Sequence, residues 1–150
     1  MVEEIYMRLA LEEADKAYSK GEVPIGAIVV QGDRVIGSGH NLRECSKDST
    51  AHAEIVAIRN ACNTIGGWRL TESTLYVTIE PCPMCAGAIL QSRIKKVVIG
   101  AMDSKGGACG SVVNLLNNNG FNHQTEIQSG VLEEMCADKM KSFFKELRSK

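Results

Sequence analysis

The sequence predicts an α/β fold: a mixed five-stranded sheet with helices on both faces, in three α/β/α layers. Three observations carry this. Apolar residues recur at helical spacing at both ends of the chain. A hairpin signal follows the first helix. Beyond it, short β-branched runs alternate with helical segments, the pattern by which parallel strands are connected. The chain has 150 residues, 44% apolar and 23% charged, enough for one globular core. Residues 1–150 are therefore expected to form a single domain.

The elements follow in order. Residues 2–20 read as a helix, with Val2, Tyr6, Leu9, Ala10, Ala14, Ala17 and Tyr18 on its apolar repeat and Gly21 as its stop. Gly26 to Val30 is an apolar run, Gln31-Gly32-Asp33 turns it, and Arg34 to His40 returns. Residues 51–62 read as a helix on Ala53, Val56, Ala57 and Ala61, with Asp48, Ser49 or Thr50 as N-cap. Thr74 to Thr78 is a strand, and a helix is predicted over 83–92, where Pro83 is tolerated in the first turn. Lys96 to Gly100 is a buried strand. Asp103 to Ser111 is too rich in glycine for regular structure, and Asn117 to Gly120 is a second breaker. Thr125 to Gln128 is a short fifth strand. Residues 131–148 close the chain as a helix with Val131, Leu132, Met135, Met140, Phe143, Phe144 and Leu147 apolar.

Charge and cysteine usage bound the function. A net charge of −1 excludes binding to nucleic acid through a strongly basic balance, so any such contact uses a local patch. Lys139, Lys141, Lys145, Arg148 and Lys150 against Glu146 form one such patch, or a solvated helix face. The apolar runs are too short to span a bilayer, and the acidic opening Val2-Glu3-Glu4 is no signal peptide. A cytoplasmic protein is expected, with its six cysteines reduced. Cys45, Cys62, Cys109 and Cys136 stand alone and read as packing residues.

Two segments carry the chemistry: His52-Ala53-Glu54 and Pro81-Cys82-Pro83-Met84-Cys85. His52 opens one helix; Cys82 and Cys85 open another. A helix N-terminus favours thiolate, the metal-binding form, and residues three apart share a face. A C-x-x-C pair by itself also fits a redox dithiol. No second such pair closes a four-cysteine site, and His52 supplies a third ligand. Three ligands leave a zinc ion one open position, the mark of a catalytic site. Glu54, not needed as a ligand, is left as general acid and base for a water. A zinc-stabilised RNA-binding module would have no use for that carboxylate.

His-x-Glu followed by Pro-Cys-x-x-Cys resembles the signature of the zinc-dependent nucleobase deaminases. The resemblance extends over nearly the full length and is to the bacterial tRNA adenosine deaminases of the cytidine/deoxycytidylate deaminase superfamily. It is carried by Glu22-Val23-Pro24-Ile25-Gly26-Ala27, His40-Asn41, His52-Ala53-Glu54-Ile55 and Leu75-Tyr76-Val77-Thr78. Glu80-Pro81-Cys82, Met84 to Ala88, Ser92-Arg93-Ile94, Gly100-Ala101, Asp103, Lys105, Gly110-Ser111, Asn122-His123 and Phe143-Phe144 continue it. Pro83 departs from it: Cys-Pro-Met-Cys also resembles guanine and cytosine deaminases, so the ligand motif does not settle the substrate.

The resemblance implies a cytidine-deaminase-like fold and a homodimer. It implies one zinc per chain, held by His52, Cys82 and Cys85, and deamination of adenosine to inosine at the wobble position of a tRNA anticodon, with Glu54 moving the protons. It places backbone N–H groups near Ala53 and Cys82 around the zinc-bound oxygen, and Asn41 on the base or its sugar, where the residues alone read equally as a strand-end turn. It makes Asp103 and Lys105, Asn122 and His123, and Phe144 RNA contacts. The residues alone also fit a surface loop and a core position for Phe144, since Phe143 and Phe144 cannot face the same way on a helix. The alternative substrate is a free base or nucleoside: guanine, cytosine or cytidine.

Overall fold

The structure is a computed structural model that describes residues 2–149. Its elements are α1 (Val2–Ser19), β1 (Gly26–Gln31), β2 (Arg34–His40), α2 (Arg43–Ser46), α3 (Ala53–Ile65), β3 (Ser73–Ile79), α4 (Pro83–Gln91), β4 (Lys96–Ala101), β5 (Glu126–Ser129) and α5 (Glu133–Arg148). The sheet order is β2-β1-β3-β4-β5. β1 is antiparallel to both its neighbours, and β3, β4 and β5 run parallel. The predicted mixed five-stranded sheet is the one found.

Side-chain alternation along the strands builds the three layers. Ala27, Val29, Leu75, Val77, Val97 and Ile99 point to the α3/α4 face, against Ala53, Ala57, Ala61, Ala86 and Ile89. Ile28, Val30, Tyr76 and Val98 point to the other face, against Met7, Ala10 and Leu11 of α1 and Cys136 of α5. A buried Leu or Val of this kind contributes about 1.5–3 kcal/mol. The alanine stripe lets α3 lie close on β2. A β-carbon on Gly39 would stand 2.6 Å from the Ala57 nitrogen, so only glycine fits there.

The register brings one edge of the sheet into use. Gly26 pairs with His40 and Ala27 with Val77, so the start of β1 lies beside the ends of β2 and β3. Ile79 pairs with Ala101, which puts the end of β4 there too. The segments holding Asn41 and His52, Cys82, and Asp103 leave from the ends of β2, β3 and β4, along this one edge.

Several expectations are corrected. α3 begins at Ala53, with His52 as its N-cap. Asp48 instead turns its carboxylate onto Thr50, accepting from its N–H at 2.8 Å and its hydroxyl at 2.7 Å. α2 carries no sequence signal because a distant residue caps it: Glu22 accepts from the N–H groups of Glu44 (3.2 Å) and Cys45 (2.7 Å). α5 begins after Leu132, which is held at φ 53°, and Cys136 is its one fully buried residue among those described. Met135, Phe144 and Leu147 are exposed. Neither Phe143 nor Phe144 is core: Phe143 packs edge-on against Tyr18 at 5.8 Å and against Phe144 at 5.3 Å. Cys45 is exposed rather than packed, and Cys62 is half-buried. Lys139 pairs with Asp15 at 2.5 Å, and Lys150 lies outside the described residues.

Candidate active site

Two helix N-termini meet at the used edge of the sheet. His52 is the N-cap of α3 and Cys82 the N-cap of α4; neither side chain caps its helix, and both are left to ligate. Cys85 sits in the first turn of α4. His52 Nδ1 lies 3.6 Å from Cys82 Sγ and 3.6 Å from Cys85 Sγ. All three ligand atoms lie within 4.8 Å of one another, the one such cluster among the described residues. Tetrahedral zinc, with Zn–S of about 2.3 Å and Zn–N of about 2.0 Å, requires nitrogen–sulfur separations of about 3.5 Å. The three residues fit that ion and could provide three ligands.

The electrostatics suit a dication. Cys82 is pulled down to about 3, chiefly by the hydrogen bond from the Cys85 thiol and also by His52. Cys85, which donates that bond and is buried, is pushed up. His52 is raised by its bond to the Cys82 sulfur. A divalent cation at these side chains favours the ionised form of both thiols. Glu54, buried beside them, is pushed up to about 7 by desolvation. A buried carboxyl raised in this way, beside a candidate metal cluster, suits general acid–base work.

Asn41 and Ala53 are joined to each other. The Ala53 N–H donates to Asn41 Oδ1 at 2.8 Å in a buried contact. This N–H, expected near the reacting oxygen, is here engaged by Asn41. Asn41 anchors the start of α3, and its amide nitrogen remains for a ligand. It lines a cavity of ≈ 350 Å³ with Arg43, Phe143, Phe144 and Leu147. Asn122 and His123 line a different cavity of ≈ 320 Å³, with Gly87, Arg93 and Phe121. The two cavities share no lining residue, and neither is lined by His52, Cys82 or Cys85. His123 Nε2 donates to the Ile94 carbonyl at 2.8 Å, which leaves one ring nitrogen free of that bond.

The glycine-rich segment is built as a turn. Asp103 is half-buried and accepts from the N–H groups of Lys105 (3.1 Å) and Gly106 (3.2 Å). Lys105 is exposed at its tip. The residue that seats the whole segment is Glu80, which the sequence marks only as part of Glu80-Pro81-Cys82. Its signal was faint: a carboxylate two residues before a ligand cysteine, in a segment otherwise apolar.

A profile of the MafB19-like deaminases matches residues 1–148. The tRNA-specific adenosine deaminase of Bacillus subtilis (strain 168) is 55% identical over 148 residues, 99% of this chain and 92% of that protein. The chain belongs to the tRNA-specific adenosine deaminase family. A second member of this deaminase family, from Haemophilus influenzae, is 52% identical over 97% of this chain and 85% of its own length. A solved structure from a study of A-to-I editing by tRNA:A34 deaminases superposes with a TM-score of 0.86 at 45% identity, covering 89% of this chain and 97% of that one. The guanine deaminase of Nitrosomonas europaea shares the cytidine-deaminase-like fold, with a TM-score of 0.76 at 23% identity over 93% and 83% of the two chains.

Proposed function

We propose that this chain is a zinc-dependent hydrolase that converts adenosine to inosine at the wobble position of a tRNA anticodon. The observation that carries it is the three-ligand cluster with Glu54 buried beside it, in a chain 55% identical to a tRNA-specific adenosine deaminase. His52, Cys82 and Cys85 hold one zinc ion per chain. Bound there, zinc supplies Lewis acidity that brings the pKa of a water from ~15.7 to about 7. Glu54 takes the proton released from water as its oxygen adds to C6 of the base. Glu54 passes that proton to the ring nitrogen next to C6, then takes the proton of the new C6 hydroxyl and gives it to the amino group; C6=O forms, the C6–N bond breaks, and ammonia departs. Asn41 holds the start of α3 in place and offers its amide nitrogen to the nucleotide.

RNA contacts are proposed for Asp103 and Lys105, for Asn122 and His123, and for Phe144, exposed beside Asn41 and able to stack on a base. Residues 1–150 act as one deaminase domain, and two copies form a homodimer. Its support is an apolar groove of ≈ 390 Å³ along α3 and α4, lined by Ile58, Cys62, half-exposed Trp68 and Ala88. A reducing cytoplasmic setting fits the six free cysteines. No helix among the described residues is long and apolar enough to cross a membrane.

The test is incubation with an anticodon stem-loop carrying a wobble adenosine, beside free adenosine, guanine, cytosine and cytidine. Inosine in the RNA is the expected result. Ammonia released from a free base, without inosine in the RNA, contradicts the reading.

A further inference from the structure

Glu80 lies between β3 and the ligand turn and is 4% exposed. Its carboxylate points into the segment after β4. Oε1 accepts from the Asp103 N–H at 2.9 Å and from the Ser111 hydroxyl. Oε2 accepts from the N–H groups of Cys109 at 2.9 Å and Ser111 at 3.0 Å. A carboxylate has about four acceptor sites, and these four donors fill them. Glu80 therefore has no capacity to shuttle protons, in contrast with Glu54. The loop is shaped to admit it: a β-carbon on Gly107 would run into the Glu80 carboxyl. A second tie runs from the adjacent residue, where the Ala108 N–H donates to the Pro81 carbonyl at 2.8 Å. Residues 80 and 81 thus fasten the Asp103–Ser111 segment to the turn that ends in Cys82.

We propose that Glu80 is a positioning residue for substrate recognition. It seats the Asp103–Ser111 segment, with Lys105 at its tip, against the metal-ligand turn, so that the RNA contacts of the loop are registered on the reacting base. Its substrate side rests on the tRNA deaminase reading. A neutral glutamine has the same shape but one acceptor oxygen, and it turns N–H groups toward N–H groups on the other side. Alanine at Gly107 attacks the same contact from the loop. Alanine at Ser111 removes one donor of four.

The experiment measures KM and kcat on the wobble-adenosine stem-loop, zinc per chain, and amide hydrogen exchange of the segment. It compares the wild type with Glu80→Gln, Gly107→Ala and Ser111→Ala. Expected for the first two is a KM about tenfold higher, with kcat within about twofold and zinc unchanged; for Ser111→Ala, a KM roughly threefold higher. The amides of Cys109 and Ser111 exchange faster in all three. A fall in kcat at unchanged KM, KM and kcat both unmoved, or amide exchange like the wild type's would each overturn the proposal. If Glu80→Gln does not fold, Ser111→Ala carries the decision. The exchange measurement needs no substrate, so it judges the seating of the loop even where the wild type forms no inosine, an outcome that would sink the functional reading separately.

Discussion

The metal half and the loop half of the candidate site are held by different means. His52, Cys82 and Cys85 stand on the first turns of α3 and α4, whose positions follow from strand register and a core of fully buried alanine, valine and leucine. Asp103 to Ser111 has no regular structure, and its backbone is fixed by one carboxylate and a few turn hydrogen bonds. Fixing ligands to element ends gives the ångström-level geometry that a metal demands. Fixing a loop by hydrogen bonds to residues 80 and 81, without regular structure of its own, leaves it more adjustable to a polymer substrate. The difference predicts that damage to the metal half is all-or-none and damage to the loop half is graded.

The largest effect is expected at the ligands. Cys82→Ala or Cys85→Ala should lose both zinc, measured by elemental analysis, and inosine formation; an active, metal-replete variant would remove sulfur from the ligand set. Asn41→Ala comes next. It leaves the buried Ala53 N–H without its acceptor, a cost of about 1–3 kcal/mol. A lower melting temperature and weaker zinc retention are expected, because His52 is the residue before Ala53. Unchanged values for both would show that Asn41 does not anchor α3.

A pH effect of intermediate size is expected away from the site. Burial alone would raise Glu13, but hydrogen bonds from Lys16 and His40 outweigh it and hold the carboxyl below its ordinary 4.5. A depressed folded-state value means that Glu13 stabilises the fold above about pH 4.5 and loses that contribution as pH falls through the folded value. Urea unfolding between about pH 5 and pH 3 should show a steeper acid-side loss in the wild type than in Glu13→Gln; parallel curves would contradict this. The smallest effect belongs to exposed Lys105. Lys105→Ala should weaken stem-loop binding by a few-fold and flatten its salt dependence by about one phosphate contact, leaving zinc and stability unchanged.

Legibility in the sequence followed the same division. The strands and most helices were readable because their apolar periods match the layers they fill, as with Val29 and Val77 on one face and Ile28 and Tyr76 on the other. The clustering of His52, Cys82 and Cys85 is legible because thiols, an imidazole and a spare carboxylate at those spacings have little other use together. Interactions between distant side chains and backbone N–H groups were not. Glu22 capping α2, Asn41 holding Ala53 and Glu80 holding the glycine-rich segment all pair a side chain with a backbone that bears no sequence mark. The start of α3 differs from the expected one for a related reason: Asp48 satisfies its own turn, and the N-cap position is taken by His52.

The central claim is that Glu54 moves protons and does not hold the metal, and Glu54→Gln tests it most directly. Zinc per chain and inosine formation are measured on the same preparation. About one zinc per chain is expected, as in the wild type, with turnover reduced by about 10²–10⁴-fold. Loss of zinc, or near-normal turnover with zinc in place, would contradict it.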